Sequence, residues 1–102
     1  MNTLFYVFHG AMVPAYIKNN DDARIHYLNN RTTFKRVARV DADTLSKVYE
    51  LTNHVDTDWN ENSEVTMLVE RARSTSIGDL IAKVTDDAID FFMVGNYGFE
   101  EI

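Results

Sequence analysis

The side chains able to do chemistry are few in this chain, and their spacing matches no catalytic motif. Histidine occurs three times, at His9, His26 and His54. No two of them show the His-x-x-x-His or His-Glu spacing of a metal or general-base site. Cysteine is absent, which excludes disulfides, thiolate zinc sites and cysteine nucleophiles. We therefore predict no metal and no cofactor. A small enzyme would require His9 or His54 to lie in a pocket beside an acid.

Two further segments have the composition of ion-binding loops. Asp56-x-Asp58-x-Asn60 resembles the start of a calcium loop, but Glu61 stands where that loop needs glycine and Met67 where it needs a bidentate glutamate. We interpret this segment as a solvated loop.

The second segment combines hydroxyl and guanidinium groups, as an anion-binding nest does. It contains Ser74, Thr75 and Ser76 beside Arg71 and Arg73. There is no phosphate-binding loop motif and no Gly-x-Ser-x-Gly elbow, so phosphoryl transfer and ester hydrolysis lack support. We interpret it as a turn whose hydroxyls bond the backbone.

Charge is distributed unevenly along the chain. Residues 1–40 carry six basic and two acidic residues, whereas residues 41–102 carry four basic and fourteen acidic ones, for a net charge of −6. The basic set could meet a phosphate backbone, but the overall acidity argues against direct nucleic-acid binding. That set is Arg31, Lys35, Arg36 and Arg39. Halves of opposite sign can also simply attract each other within one fold.

The length of 102 residues and the 45% hydrophobic content predict a single folded domain over residues 1–102. The longest apolar run near the N-terminus, at residues 4–8, is too short for a membrane span and lacks the basic flank of a signal peptide. We expect a cytoplasmic protein with no membrane contact.

Periodicity and turn signals predict strands and helices in a definite order. Strands are predicted at 3–9, 32–40, 64–70, 80–84, 89–94 and 99–102, and helices at 21–28 and 42–55, the second capped by Asp41. The first strand, rich in aromatic and β-branched residues, is expected to be central. The fold class is α+β, a small, mostly antiparallel sheet with one main covering helix and a C-terminal β-meander.

From about Ala42 onward the chain resembles a family of small, mostly uncharacterised proteins of phages, plasmids and bacterial genomes. The resemblance covers roughly the C-terminal 60% of the chain. The matching residues are Leu51-Thr52-Asn53, Asp56, Trp59, Glu61-Asn62, Val65, Arg73-Ser74-Thr75-Ser76-Ile77-Gly78-Asp79, Gly98-Phe99 and Ile102. The chain departs from the pattern at Thr85-Asp86-Asp87, where a turn with glycine is more usual. The resemblance implies no enzymatic activity and points to a small accessory or host-interaction protein.

The family residues also have structural interpretations. Gly78 permits a positive φ, the neighbouring serine and aspartate can bond backbone amides, and Ile77 can fill the core. Trp59 is expected to cover the end of the second helix. Gly98-Phe99 indicates a tight turn followed by a core aromatic.

We therefore expect a non-enzymatic protein, encoded by a phage or another mobile element, that binds and modulates a host protein. Its predicted contact surface is the acidic C-terminal hairpin and closing strand, by edge-strand pairing. The predicted contact residues are Asp79, Asp86, Asp87, Asp90, Glu100 and Glu101. The alternative is a DNA mimic that inhibits a host nuclease or restriction system, which requires six or more carboxylates on one face. Pairing across a homodimer axis stays open.

Overall fold

The computed structural model describes residues 3–10, 16–53, 63–70 and 72–102. Its helices are α1 (Asn20–Asn30) and α2 (Leu45–Thr52). Its strands are β1 (Thr3–His9), β2 (Lys35–Ala42), β3 (Val65–Met67), β4 (Leu80–Val84), β5 (Ile89–Gly95) and β6 (Gly98–Glu101). The strands form one antiparallel sheet in the order β3-β2-β1-β4-β5-β6. The α+β class and the C-terminal meander are confirmed, and β1 is central as predicted.

The two helices lie on opposite faces of the sheet. Successive strand residues point to opposite faces, and Val7 packs in the cluster that contains Val48 and Leu51 of α2. Phe8 packs instead with Ala23 of α1. We call these two faces the α2 side and the α1 side. The prediction of one main covering helix is therefore incomplete, because α1 covers part of the second face.

Helix α1 spans Asn20–Asn30, beginning one residue before the predicted start and ending two residues after the predicted end. The Asn19 side chain accepts a hydrogen bond from the Asp22 backbone N–H at 2.9 Å, which satisfies one of the free amides of the first turn. Ala23 is fully buried and Tyr27 stacks on Phe34 with ring centroids 5.8 Å apart. Ile25 on the same helix is 60% exposed.

Helix α2 begins three residues later than predicted. Asp41 and Ala42 still belong to β2, and the cap is Thr44, whose side chain accepts from the Lys47 N–H at 3.1 Å. The predicted Asp41 cap is wrong because Asp41 continues the ladder opposite Leu4. Val48, Leu51 and Thr52 of α2 are buried.

The register of β1 against β2 contains a bulge. Tyr6 lies opposite Arg39 and Phe8 lies opposite Arg36, and the register shifts between Val7 and Phe8. Cross-strand partners point to the same face, so both arginines project on the α1 side. In a regular strand, residues three apart would point to opposite faces. The Arg36 guanidinium accordingly lies 5.0 Å from the centre of the Tyr6 ring.

Candidate functional site

A salt bridge between Arg73 and Asp79 joins the two ends of the connection from residue 72 to residue 79. The Arg73 guanidinium donates to both oxygens of Asp79, at 2.6 Å from Nη1 and 2.8 Å from Nη2. Asp79 is only 2% exposed. Its carboxylate also accepts from the backbone N–H of Gly10 at 3.1 Å and of Ser76 at 2.9 Å. Such bidentate, charge-assisted pairs are the strong hydrogen bonds of proteins.

Arg73 extends the same cluster to the backbone around it. It donates to the carbonyls of Gly10 at 2.9 Å and Ser74 at 3.0 Å, and to the Ser76 hydroxyl at 3.2 Å. Hydrogen bonding to Asp79 raises the pKa of Arg73. The cluster thus fastens the segment after β1 to the segment before β4, two stretches that are more than sixty residues apart.

His9 lies beside this cluster at the end of β1. Its Nε2 atom is 3.0 Å from the Thr75 hydroxyl and 3.8 Å from the nearer oxygen of Asp79. Burial lowers the pKa of His9 to about 4, an effect that Asp79 opposes and Arg73 assists. The imidazole is therefore neutral at pH 7.

The histidine, hydroxyl and carboxylate do not have the geometry of a catalytic relay. A relay needs the nucleophile at one ring nitrogen of the histidine and the acid at the other. In this fold the Thr75 hydroxyl and Asp79 both approach Nε2. His9 and Thr75 are also buried, at 8% and 0% exposure. Within the described part of the chain, no buried side-chain nitrogen or oxygen lacks a partner. The arrangement joins the end of β1 to the segment before β4.

The interpretation of Ser76-Ile77-Gly78-Asp79 as backbone chemistry is confirmed for Gly78 and Asp79, whereas the Ser76 hydroxyl accepts from the Arg73 guanidinium at 3.2 Å. Gly78 has φ +94°, a region that L side chains rarely adopt, and Asp79 bonds backbone amides. Ile77 does not fill the core, because 40% of its surface is exposed. Gly98 also has a positive φ, and Phe99 packs on the α2-side cluster as predicted.

The six predicted contact residues do not form one surface. Asp79 differs from the other five because its carboxylate is buried against Arg73. Asp86 and Asp87 are exposed at the β4–β5 turn. By register, Asp90 and Glu101 lie on the α2 side, while Glu100 lies opposite Met93 on the α1 side. These residues do not make the single acidic face that a DNA mimic needs.

Some predictions fall outside the described residues. They concern His54, the loop with Asp56, Asp58, Asn60 and Glu61, Trp59, and Arg71. Among the residues that are described, no group of three histidine or acidic side chains could hold a metal ion.

The α1 side of the sheet holds a surface that sequence reasoning missed. Helix α1 covers Phe8, Leu80 and Met93. Beside them lie two rows of residues that are exposed or half-buried, except for Ala82, which is 2% exposed. One row runs Arg39, Tyr6, Ala82 and Phe91, and the next runs Asp41, Leu4, Val84 and Ile89. We call these eight residues the open face. The large side chains at the β5 end are the most accessible: Ile89 is 59% and Phe91 38% exposed.

A groove joins the open face to α1. Its volume is about 330 Å³, and it is lined by Arg24, Tyr27, Leu28, Phe91 and Ile102. Leu28 is 63% exposed and stands one helical turn after Arg24, so the two side chains form one wall. The alternation of Ile89, Phe91 and Met93 indicates an apolar face on this strand. The sequence does not show how much of that face is covered by α1.

Comparisons of the chain with protein-family models, curated proteins and solved structures found no match. Neither helix in the described part of the chain is long and apolar enough to cross a membrane.

Proposed function

We propose that this chain is a non-enzymatic protein that binds and modulates a host protein, and that the open face is its contact surface. The resemblance of its C-terminal part to small phage and plasmid proteins supports an origin on a mobile element. The exposed apolar area beside α1 is the observation that carries the proposal.

Large apolar side chains are gathered on the open face and along the adjoining groove instead of being scattered. Leu28 and Ile89 are both more than half exposed, and Phe91 lies between the groove and the Phe8 ring, 6.1 Å from it. Single exposed apolar residues are ordinary on protein surfaces, whereas a contiguous apolar patch with polar residues at its rim is typical of interaction sites.

The acidic hairpin has weaker support as the contact surface. Asp86, Asp87, Asp90 and Glu101 stay available at the surface or partly so, and their role remains a prediction. No observation favours DNA mimicry, because the acidic residues named above are divided among the interior, a turn and both sides of the sheet.

Quantitative affinity capture from the host tests this proposal. The bait is the tagged full chain, compared with a Leu28→Ser/Ile89→Ser variant. A matched control is Leu68→Ser/Ile77→Ser, which makes the same two changes at residues 44% and 40% exposed outside the open face. We expect one host protein to be captured in stoichiometric amount by the wild type and the control, and at least tenfold less by the open-face variant. Thermal unfolding of each bait establishes that it is folded. Equal capture by both variants would contradict the proposal.

A further inference from the structure

We propose that Tyr16 and Tyr97 are an oxidative modification site, at which a one-electron oxidant of the haem-peroxidase class joins the two rings by a carbon–carbon bond. The product is a dityrosine crosslink within one chain. This inference concerns residues outside the open face and does not depend on the proposed function.

Backbone contacts place these two residues side by side. The Ile17 N–H donates to the Asn96 side-chain oxygen at 2.6 Å, and the Asn96 N–H donates to the Ile17 carbonyl at 2.8 Å. Gly95 allows this approach, because a Cβ at that position would lie 2.8 Å from the Ile17 oxygen. Ile17 itself is buried. Tyr16 and Tyr97, the residues next to this anchored pair, are therefore held close although they are 81 residues apart along the chain.

The two tyrosine side chains are in contact and open to solvent. Their hydroxyl oxygens are 2.9 Å apart, and the ring centroids are 6.5 Å apart with the ring planes at 90°. Tyr16 is 61% and Tyr97 is 75% exposed, so an oxidant in solution reaches both rings. Exposed side chains change rotamer within nanoseconds. The rings can therefore turn from this edge-on arrangement to one in which the ring carbons ortho to the hydroxyls meet.

The coupling reaction conserves atoms and electrons. Each phenol loses one electron and its hydroxyl proton, which gives two phenoxyl radicals. The unpaired electron of each radical is shared with the ring carbons ortho to the oxygen, and one such carbon from each ring forms the new bond. The hydrogen on each bonded carbon then moves to the phenol oxygen, which restores the aromatic rings. Hydrogen peroxide, the second substrate of the oxidant, takes up the two electrons and two protons and becomes two molecules of water.

The other three tyrosines are not placed for the same reaction. Tyr27 and Tyr49 each pack against a phenylalanine, and Tyr6 lies against the Arg36 guanidinium. All three are half-buried, and in the described part of the chain no second pair of tyrosine rings is in contact. Holding two reactants together makes a bimolecular step effectively unimolecular. Proximity therefore directs the coupling to the pair formed by residues 16 and 97.

The crosslink would tie the segment before α1 to the turn between β5 and β6. A covalent link between residues far apart in the sequence removes conformational freedom from the unfolded chain, as a disulfide does. The chain has no cysteine with which to form a disulfide. Oxidation at Tyr16 and Tyr97 would give it a stabilising link of the same kind.

Oxidation of the purified full chain by a haem peroxidase and hydrogen peroxide tests the inference. We expect the monomer to lose the mass of two hydrogen atoms and to gain dityrosine fluorescence. Proteolytic digestion followed by mass spectrometry should recover one linked peptide pair, which contains Tyr16 and Tyr97. The variants Tyr16→Phe and Tyr97→Phe should each lower the yield of intrachain dityrosine by about tenfold or more.

Tyr27→Phe and Tyr49→Phe are the matched controls, because each removes one phenol hydroxyl and keeps the packed ring. Their yield of the link should stay within about twofold of the wild type. Wild type unfolded in urea should form the link about tenfold less or lower, since the fold supplies the proximity. Oxidation should also raise the urea midpoint of the wild type and leave that of Tyr16→Phe unchanged.

Several results would overturn the inference. These are crosslinks that join two chains only, an intrachain crosslink at another pair of tyrosines, or equal yields of the link in folded and unfolded protein. Hydroxylation of either ring without a crosslink would also overturn it, because the oxidant would then reach the rings and the pair would fail to couple. An unchanged urea midpoint after crosslinking would overturn the stabilising role.

Discussion

Arg73 and Asp79 form a two-bond salt bridge across six residues, with N–O distances of 2.6 and 2.8 Å. The carboxylate is in the interior, while the guanidinium side chain is 29% exposed. The pair also bonds both backbone groups of Gly10, at the end of β1. It therefore sets the position of the connection that leads into β4.

Replacing Asp79 with asparagine should destabilise the fold. The change keeps the shape but removes the charge that balances Arg73, and the amide nitrogen would face the N–H donor of either Gly10 or Ser76. We expect a loss of about 2–4 kcal/mol in the free energy of unfolding, measured by urea denaturation. Glu101→Gln, at an exposed acid of β6, should stay within about 0.5 kcal/mol. A similar loss of stability for both substitutions would show that Asp79 in the cluster contributes no more to folding than an exposed acid.

His9 should make stability depend on pH on the acidic side of neutrality. The folded state holds the pKa of His9 at about 4, below the value of 6.5 for the unfolded chain. The unfolded state therefore binds the proton first, and the stabilisation present above pH 6.5 is lost as pH falls toward 4. Between pH 7 and pH 5 we expect a loss of about 1–2 kcal/mol from this residue.

The control for this pH effect is His9→Gln, which keeps a polar group near the Thr75 hydroxyl but cannot titrate. Its free energy of unfolding should change less between pH 7 and pH 5 than that of the wild type, by the same 1–2 kcal/mol. Parallel pH profiles for the two proteins would assign the dependence to other groups.

Gly78→Ala should destabilise the fold through backbone strain. Gly78 has φ +94°, and an added Cβ would lie 3.0 Å from Nε2 of His26. We expect a cost of about 1–3 kcal/mol, measured by thermal or urea unfolding. Adding His26→Ala removes the contact but not the strain, so the double variant should recover only a minor part of the loss. Full recovery would show that the contact, and not φ, is the cause.

The open face should bind a hydrophobic dye in the native state. Leu28 and Ile89 are accessible and lie beside a groove of about 330 Å³. We expect fluorescence of anilinonaphthalene sulfonate in buffer, reduced by at least half in Leu28→Ser/Ile89→Ser and unchanged in Leu68→Ser/Ile77→Ser. Because all four residues are substantially exposed, each pair should cost less than about 1 kcal/mol of stability. Equal fluorescence in both variants would place the dye elsewhere.

Much of the fold follows from local patterns in the sequence. Aromatic and β-branched residues at 3–9 predict β1, and the turn at Thr85 separates β4 from β5 as expected, with a 2.9 Å bond from its N–H to the Ala88 carbonyl. These signals are readable because side-chain period and turn chemistry act over a few residues. The predicted boundary between β2 and α2 is wrong. Aspartate is a favourable helix N-cap residue, but pairing with β1 keeps Asp41 in an extended strand.

The candidate sites depend on contacts that no local pattern encodes. His9 meets Thr75 and Gly10 meets Asp79 across more than sixty residues, so the burial of Asp79 was not predictable from its acidic neighbours. The bulge beside Phe8 places Arg36 and Arg39 on one face, against ordinary alternation.

The sequence by itself determined the α+β class, most strands and the turn chemistry of Ser76 to Asp79, because these follow from propensity and periodicity within short windows. Only the tertiary structure decided which charges are buried, which part of the α1 side is left uncovered by helix α1, and which arginines border that surface. Those properties arise from strand register and helix placement, which bring together residues that are far apart along the chain.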